Sequence, residues 1–168
     1  VLHLISDNLY LDVTLTSWTG GNNGGGFSYT RSTLNQFSTV VNDNNEITYE
    51  DLNIWTGNPI TFEKLDYADF NLEQNQDRIT ETVWITRQNQ QGIYNVNQES
   101  SYNYEISPSG TLWFWGNTSN FLTHPDNTIE FCNGQLTGGK RWVDWHGWYP
   151  PGMVGQEAVL YLVEDDAY

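Results

Sequence analysis

The chain has 168 residues, with 6 Lys and Arg against 21 Asp and Glu, which gives a net charge of −15 at pH 7. Without a basic cluster, such a charge excludes nucleic acid as a partner and disfavours anionic membrane surfaces. No apolar run approaches the roughly 18 residues of a membrane-spanning helix, so we expect no membrane insertion. An aromatic content of 15% supplies the large rings that a folded core needs, so we expect a single domain over residues 1–168.

Alternation of apolar and polar residues dominates the chain, as is typical of β-strands with one buried face. It is clearest in Leu9–Thr16 and Ile79–Thr86. Eight shorter segments also predict strands: Ile47–Tyr49, Pro59–Leu65, Gly92–Val96, Tyr102–Ile106, Thr111–Trp115, Thr128–Phe131, Arg141–Trp145 and Ala158–Val163. Segments rich in Gly, Asn and Pro separate them. No stretch has sustained helical periodicity, although 66–77 has room for one short turn.

About ten short strands at regular spacing predict an all-β fold. We expect a two-sheet antiparallel sandwich, jelly-roll-like, with long Gly/Asn-rich loops. The acidic surface, poor in Lys and rich in Asn, Gln, Ser and Thr, keeps a particle soluble through charge and hydration and indicates an extracellular or cell-surface location.

The two ends of the chain carry a near-repeat. Residues 1–10 match residues 159–168 at five of ten positions, 158 residues apart, with Val, Leu, Leu, Asp and Tyr in equivalent places. The first copy runs directly into the strand that begins near Leu11. In the two copies, the apolar residues of the repeated strand are Val1, Leu2, Leu4, Ile5 and Val159, Leu160, Leu162, Val163.

A sequence repeat with so long a period is typical of tandem arrays, in which consecutive units are joined end to end. A strand from a neighbour can complete an unfilled sheet edge, and a head-to-tail contact of this kind that does not close builds a filament. The repeated strand therefore predicts a structural subunit whose partners are copies of itself, with one copy of the strand exchanged between neighbours. The alternative is that two edge strands of one sandwich converged on the same apolar pattern.

Two groups of motifs resemble a known class of proteins. Asp12–Trp18 followed by Gly24–Ser32 is similar to the stretch that closes a β-rich unit in secreted and surface-attached bacterial proteins of unassigned function. Gln76–Arg87, Gly92–Asn95 and Ser107–Trp113 resemble the earlier part of that unit. Here the closing piece stands first, which fits a unit cut at a shifted point or completed by its neighbour. The resemblance implies an extracellular fibre or adhesin building block and assigns no catalytic residue.

A search for catalytic motifs favours a protein that is not an enzyme. The imidazoles His3, His124 and His146 are too widely spaced for a zinc motif, and the single Cys132 has no motif partner. A jelly-roll glycoside hydrolase remains an alternative, since it needs only two facing carboxylates. The glutamates near predicted strands, none with a diagnostic neighbourhood, are Glu63, Glu81, Glu99, Glu105 and Glu130.

Carbohydrate binding without catalysis is the other alternative. Trp142, Trp145 and Trp148 follow one another at three-residue spacing, with Asp144 and His146 between them. Aromatic faces stack on the apolar faces of sugars while polar neighbours bind hydroxyl groups, so glycans are the predicted ligand of this segment. The competing interpretation is that these indoles fill the core of the sandwich.

Calcium is the predicted cofactor, because oxygen-bearing side chains recur at alternate positions of one acidic loop. The predicted ligands are Asp66, Asp69, Asn71, Glu73 and Asp77. An unliganded, solvated loop is the alternative in so acidic a protein. Asn117 begins an N-x-S/T sequon, Asn117-Thr118-Ser119, and is the predicted glycosylation site, with an unmodified turn as the alternative.

Overall fold

The computed structural model describes residues 9–34, 53–103, 108–115 and 157–162, with the backbone alone for residues 53, 112–115 and 157–162. These residues form nine strands in two sheets, together with a short 3-10 helix at Glu73–Asn75. The strands are β1 (Leu9–Trp18), β2 (Phe27–Thr33), β3 (Asn53–Trp55), β4 (Gly57–Lys64), β5 (Asp77–Arg78), β6 (Trp84–Arg87), β7 (Ile93–Asn95), β8 (Thr111–Trp115) and β9 (Glu157–Leu162). The predicted all-β, two-sheet sandwich is confirmed, and its jelly-roll character stays a prediction.

The larger sheet has six strands in the order β4-β2-β1-β9-β8, with β3 also paired to β1. Its centre is β1, which pairs antiparallel with β2 from Val13 to Trp18 and with β9 from Tyr10 to Thr14. β3 runs parallel to β1 over residues 9–11, so this one short ladder departs from the antiparallel prediction. Since Tyr10 and Leu11 pair with both β3 and β9, these two strands lie on opposite edges of β1.

The smaller sheet, β5-β6-β7, contains the predicted strand Gly92–Val96 as β7, whereas only the last three residues of the predicted strand Ile79–Thr86 lie in a strand, β6. The first part of that prediction was wrong because the chain turns between β5 and β6. The Thr80 hydroxyl oxygen accepts hydrogen bonds from the backbone N–H groups of Thr82 and Val83, and the Ile79 N–H binds the Val83 carbonyl oxygen. Such local side-chain bonds give the backbone an alternative to a continuous ladder.

The core lies between the two sheets. Leu9, Leu11, Val13, Phe27 and Tyr29 of the larger sheet pack in one buried cluster with Ile85 and Ile93 of the smaller sheet and with Ile79 and Val83 of the turn between β5 and β6. Burying such a side chain stabilises the fold by about 1.5–3 kcal/mol. Alternate residues of β1 therefore fix which face of this central strand is turned toward the second sheet.

β2 was not among the predicted strands. Its sequence alternates as a strand should, but only Phe27 and Tyr29 are apolar, and Arg31 stands at the next inward position. The predicted strands Ile47–Tyr49, Thr128–Phe131 and Arg141–Trp145 lie outside the described residues. Of the predicted strand Tyr102–Ile106, only Tyr102 and Asn103 are described, and they are not in a strand.

Candidate functional site

The candidate site is the position of β9 in the larger sheet, which we call the β9 slot: the space between β1 and β8. β9 pairs with β1 through five residues, from Tyr161 opposite Tyr10 to Glu157 opposite Thr14. On its other edge it pairs with β8, also through five residues, from Leu162 opposite Thr111 to Ala158 opposite Trp115. Both ladders are antiparallel, so a strand carrying the repeated sequence fills an interior position of the sheet.

The register sets which residues of β9 share a face with the core residues of β1. Leu160 stands opposite Leu11, and Ala158 stands opposite Val13. Directly opposed residues of an antiparallel pair share a face. Leu160 and Ala158 therefore stand at positions on the same face of the sheet as Leu11 and Val13, which belong to the buried cluster.

Among the described strands, β8 joins the larger sheet only through β9. Removing β9 would therefore leave two unpaired edges, one on β1 and one on β8. Unpaired edges are templates for pairing with another strand. Within the described residues, β9 is thus the strand that joins β8 to β1, and residues 159–162 of the C-terminal repeat make up four of its six residues.

A buried hydrogen-bond hub fixes the segment that leads into β8. The Asn95 side-chain amide donates to the carbonyl oxygens of Thr82 and Ser109, both at 2.9 Å. Glu99 Oε2 accepts from the backbone N–H groups of Asn95 at 2.7 Å and Ser109 at 2.9 Å. Burial raises the pKa of Glu99, although these two hydrogen bonds act in the opposite direction. The hub therefore ties the start of one slot wall to the smaller sheet.

A buried ion pair connects the two sheets beside the core. Asp77 of β5 accepts hydrogen bonds from Arg31 Nε at 2.7 Å and Nη2 at 2.9 Å, and from the Tyr29 hydroxyl at 2.6 Å. Both charged side chains are 7% exposed. Burial acts to lower the pKa of Arg31, but the hydrogen bond and charge of Asp77 outweigh it and raise that pKa. Burial raises the pKa of Tyr29 well above its usual value.

A second buried cation joins the ends of β1 and β6. Arg87 Nη1 donates to the carbonyl oxygens of Thr19 and Gly26, each at 3.0 Å, and its guanidinium lies 3.7 Å from the centre of the Trp18 ring. Burial lowers the pKa of Arg87 to about 10. Backbone carbonyl oxygens and an aromatic face therefore stabilise this buried charge, and the charge of Asp66 acts in the same direction.

The Gly24–Gly26 loop packs against the backbone of the smaller sheet. Gly25 has a φ of +68°, and a Cβ atom there would collide with the carbonyl oxygen of Gln88. Lys64, buried beneath the loop, donates from Nζ to the Gly25 carbonyl oxygen at 3.4 Å. The glycines thus allow close approach of two backbones.

The predicted calcium ligands divide between two environments. Asp77 is buried and bound by Arg31 and Tyr29, as described above. The other four are exposed, and each carboxylate among them already has a partner. Asp66 accepts from the Gly26 N–H, Asp69 accepts from the backbone N–H and side-chain amide of Asn71, and Glu73 lies 3.1 Å from Arg78.

Within the part of the chain that the structure describes, no three His, Cys, Asp or Glu side chains come together as a metal site. Calcium also accepts amide and backbone carbonyl oxygens. Calcium binding stays a prediction, and Asp77 is the residue whose burial sets it apart from the exposed four.

Several predicted site residues lie outside the described residues. These are the glycan-binding Trp142, Trp145 and Trp148, the sequon Asn117, and Val1, Leu2, Leu4, Ile5 and Val163 of the repeated strand. Of the predicted assembly strand, Val159, Leu160 and Leu162 lie in β9. Glu63 and Glu81 are exposed, whereas the Glu99 carboxylate is occupied by the hub.

Sequence reasoning missed the three buried cations, Arg31, Lys64 and Arg87, which are half of the chain's six Lys and Arg residues. The signal was present in the alternation. Each of them stands two residues after an aromatic or aliphatic residue of the core cluster or packed against it, namely Tyr29, Phe62 and Ile85. Because residues two apart on a strand share a face, each cation could have been predicted to lie on the same buried face as the apolar residue before it.

Comparison with protein-family models, with curated proteins and with solved structures found no match. Over the residues described, no helix has the length and apolar character to cross a membrane.

Proposed function

We propose that this protein is a structural subunit of an extracellular bacterial filament or tandem surface array, assembled head-to-tail by β-strand complementation. The observation that carries the proposal is the location of β9. Residues 159–162 of the C-terminal copy lie inside the larger sheet, between β1 and β8, and the other copy, residues 1–10, runs into β1 at Leu9. A strand present twice in the chain and bound in an interior slot is suited to exchange between subunits.

The backbone pairing in the β9 slot supports the proposal. β9 has five residue pairs on each edge. Each backbone hydrogen bond contributes roughly 1 kcal/mol net, so the two ladders together supply several kcal/mol before any apolar burial. Leu160, on the face shared with Leu11, supplies register as well, because a shift by one residue would place it on the other face.

Charge opposes the association of identical subunits. The net charge is −15, and of the four Lys and Arg residues that the structure describes, three are buried. Facing surfaces of neighbouring subunits therefore repel one another. Salt reduces this repulsion, since the Debye length falls from about 30 Å at 0.01 M to about 8 Å at 0.15 M ionic strength. We expect assembly to be favoured by salt.

The experiment is sedimentation velocity and negative-stain imaging of the full chain at 0.01 M and 0.15 M salt over a range of protein concentrations. The proposal expects oligomers of increasing length that become more abundant with salt and concentration, visible as filaments. A monomer under all these conditions that is retained on a glycan column would contradict the proposal and favour the carbohydrate-binding alternative.

A further inference from the structure

We infer that the β9 slot accepts either copy of the repeated strand, so that Val1–Ile5 can replace β9 between β1 and β8. The occupant is thus a named segment of the same chain. The inference rests on the proposed function, because the strand released from the slot is the one that a subunit offers to its neighbour. It adds a subunit that can donate β9 but cannot accept a strand, because its own slot holds Val1–Ile5; such a subunit can stand only at the donor end of a filament.

The register of β9 transfers directly to the first copy. Leu2 corresponds to Leu160 in the repeat, and Leu160 stands opposite Leu11. Placing Leu2 opposite Leu11 brings Leu4 opposite Leu9, as the same register would bring Leu162. Both positions that share a face with Leu9 and Leu11 therefore have Leu in either copy, and Leu9 and Leu11 are 1% and 0% exposed.

Within the first five residues, the two copies differ at His3, where the second copy has Tyr161, and at Ile5, where it has Val163. Tyr161 stands opposite Tyr10, and its equivalent in the first copy is His3. Val159 stands opposite Asp12, and its equivalent is Val1. The substitution of His for Tyr therefore leaves unchanged the residues that share a face with the core of the sandwich.

The connection to β1 fits the same register. With Leu4 opposite Leu9, Ile5 stands opposite Asn8, and Ser6 and Asp7 remain as a two-residue loop. Two-residue loops are the commonest β-hairpin connections, and Ser and Asp are frequent turn residues. By contrast, the chain between β8 and β9 runs from 116 to 156. A short connection costs less closure entropy than a long one, which favours entry of the first copy.

A chain with one slot and two matching strands always has one strand to spare. When β9 fills the slot, the first copy does not occupy it. When the first copy forms the hairpin with β1, β9 loses both of its ladders and becomes available as a donor. The ligand of the slot is thus a strand with Leu at two alternate positions, supplied by either end of this chain.

Two double-cysteine variants report the occupant, both with Cys132→Ser. Asp12→Cys with Val159→Cys traps β9 in the slot, and Asp12→Cys with Val1→Cys traps the first copy. Opposed residues of antiparallel strands have Cα atoms about 4.5–5.5 Å apart, within the range of a disulfide. Asp12→Cys with Leu2→Cys is the matched control, because adjacent residues of a strand lie on opposite faces.

We expect both matched variants to form intrachain disulfides in dilute monomer and the control to form none. In the chain trapped through Val1→Cys, the backbone amides of residues 157–162 should lose their protection from hydrogen exchange. They should keep it in the chain trapped through Val159→Cys. The inference is overturned if only the Val159→Cys pair forms, or if residues 157–162 stay protected in the Val1→Cys species. Since all these species are monomers, the outcome is independent of whether filaments form.

Discussion

The ion pair between the sheets offers the sharpest test of what holds the sandwich together. In the variant Asp77→Ala, the guanidinium of Arg31 loses both of its carboxylate hydrogen bonds while its side chain stays 7% exposed. Removing one partner of a buried pair costs about 3–5 kcal/mol, because the remaining charge is left uncompensated. This is a large share of a total stability of roughly 5–15 kcal/mol.

Urea unfolding followed by tryptophan fluorescence measures this loss, and thermal unfolding gives a second value. At about 2–4 °C per kcal/mol for a chain of this size, the Tm should fall by roughly 6–20 °C. Glu73→Ala is the matched control, because it removes an Arg–carboxylate pair whose side chains are 35% and 75% exposed. Its cost should be about 1 kcal/mol or less.

The double variant Arg31→Met with Asp77→Ala separates the buried charge from the lost contacts. Replacing both partners of a buried pair by apolar groups is often nearly neutral, so we expect the double variant to lose less stability than Asp77→Ala alone. The reasoning is refuted if Asp77→Ala costs less than about 1 kcal/mol, or if the double variant costs as much as the sum of the two single variants.

Three further predictions follow from the hub, the glycine loop and the acidic loop. Because burial raises the pKa of Glu99 above 4.5 in the folded protein, its contribution to stability is complete below that pH and is lost as pH rises through the folded pKa. Glu99→Gln keeps a hydrogen-bond acceptor, so its free energy of unfolding at neutral pH should be at least that of the wild-type chain. The difference between the two free energies should become smaller on acidification. If the wild-type chain is the more stable of the two and its advantage grows as pH rises, the reasoning is contradicted. Gly25→Ala should destabilise the fold by about 2–4 kcal/mol in urea unfolding, because the backbone at residue 25 is left-handed and the added Cβ would collide with Gln88. Gly20→Ala is the control: its Cβ would meet nothing within 4 Å, so stability should change by less than about 0.5 kcal/mol. Equal effects of the two substitutions would refute the packing argument. Calcium should raise the Tm of the wild-type chain and should not raise the Tm of the Asp69→Ala variant. If adding a chelator leaves the Tm of the wild-type chain unchanged, the prediction of calcium binding is contradicted.

The fold class was predictable because much of the core follows simple alternation. Leu9, Leu11 and Val13 form an inward row that the sequence shows directly, and all three are buried. The prediction failed where polar residues decide the path of the chain. The Thr80 hydroxyl turns the backbone inside an apparently continuous strand, and Ser, Thr and Arg fill the alternate positions of β2. Local hydrogen bonding competes with the apolar pattern at both places.

The candidate site was predictable only in part. The repeat pointed to Val159, Leu160 and Leu162, which do form β9, but not to β1 and β8 as the walls of its slot. Asp77 was expected in an exposed acidic loop, and its partner Arg31 lies 46 residues away in the sequence. Pairing over such a distance is set by the packing of the two sheets, which no local pattern contains.

The exchange of a strand between subunits is tested most directly by mixing two chains that each carry one cysteine, Asp12→Cys in one and Val159→Cys in the other, both with Cys132→Ser. Since these two residues stand opposite each other on β1 and β9, strand complementation predicts a disulfide joining the two different chains in filaments formed at 0.15 M salt. Leu160→Cys in place of Val159→Cys is the control, because residue 160 lies on the other face and opposite Leu11. Mixed disulfides no more abundant than in this control, or filaments that contain none, would contradict the account.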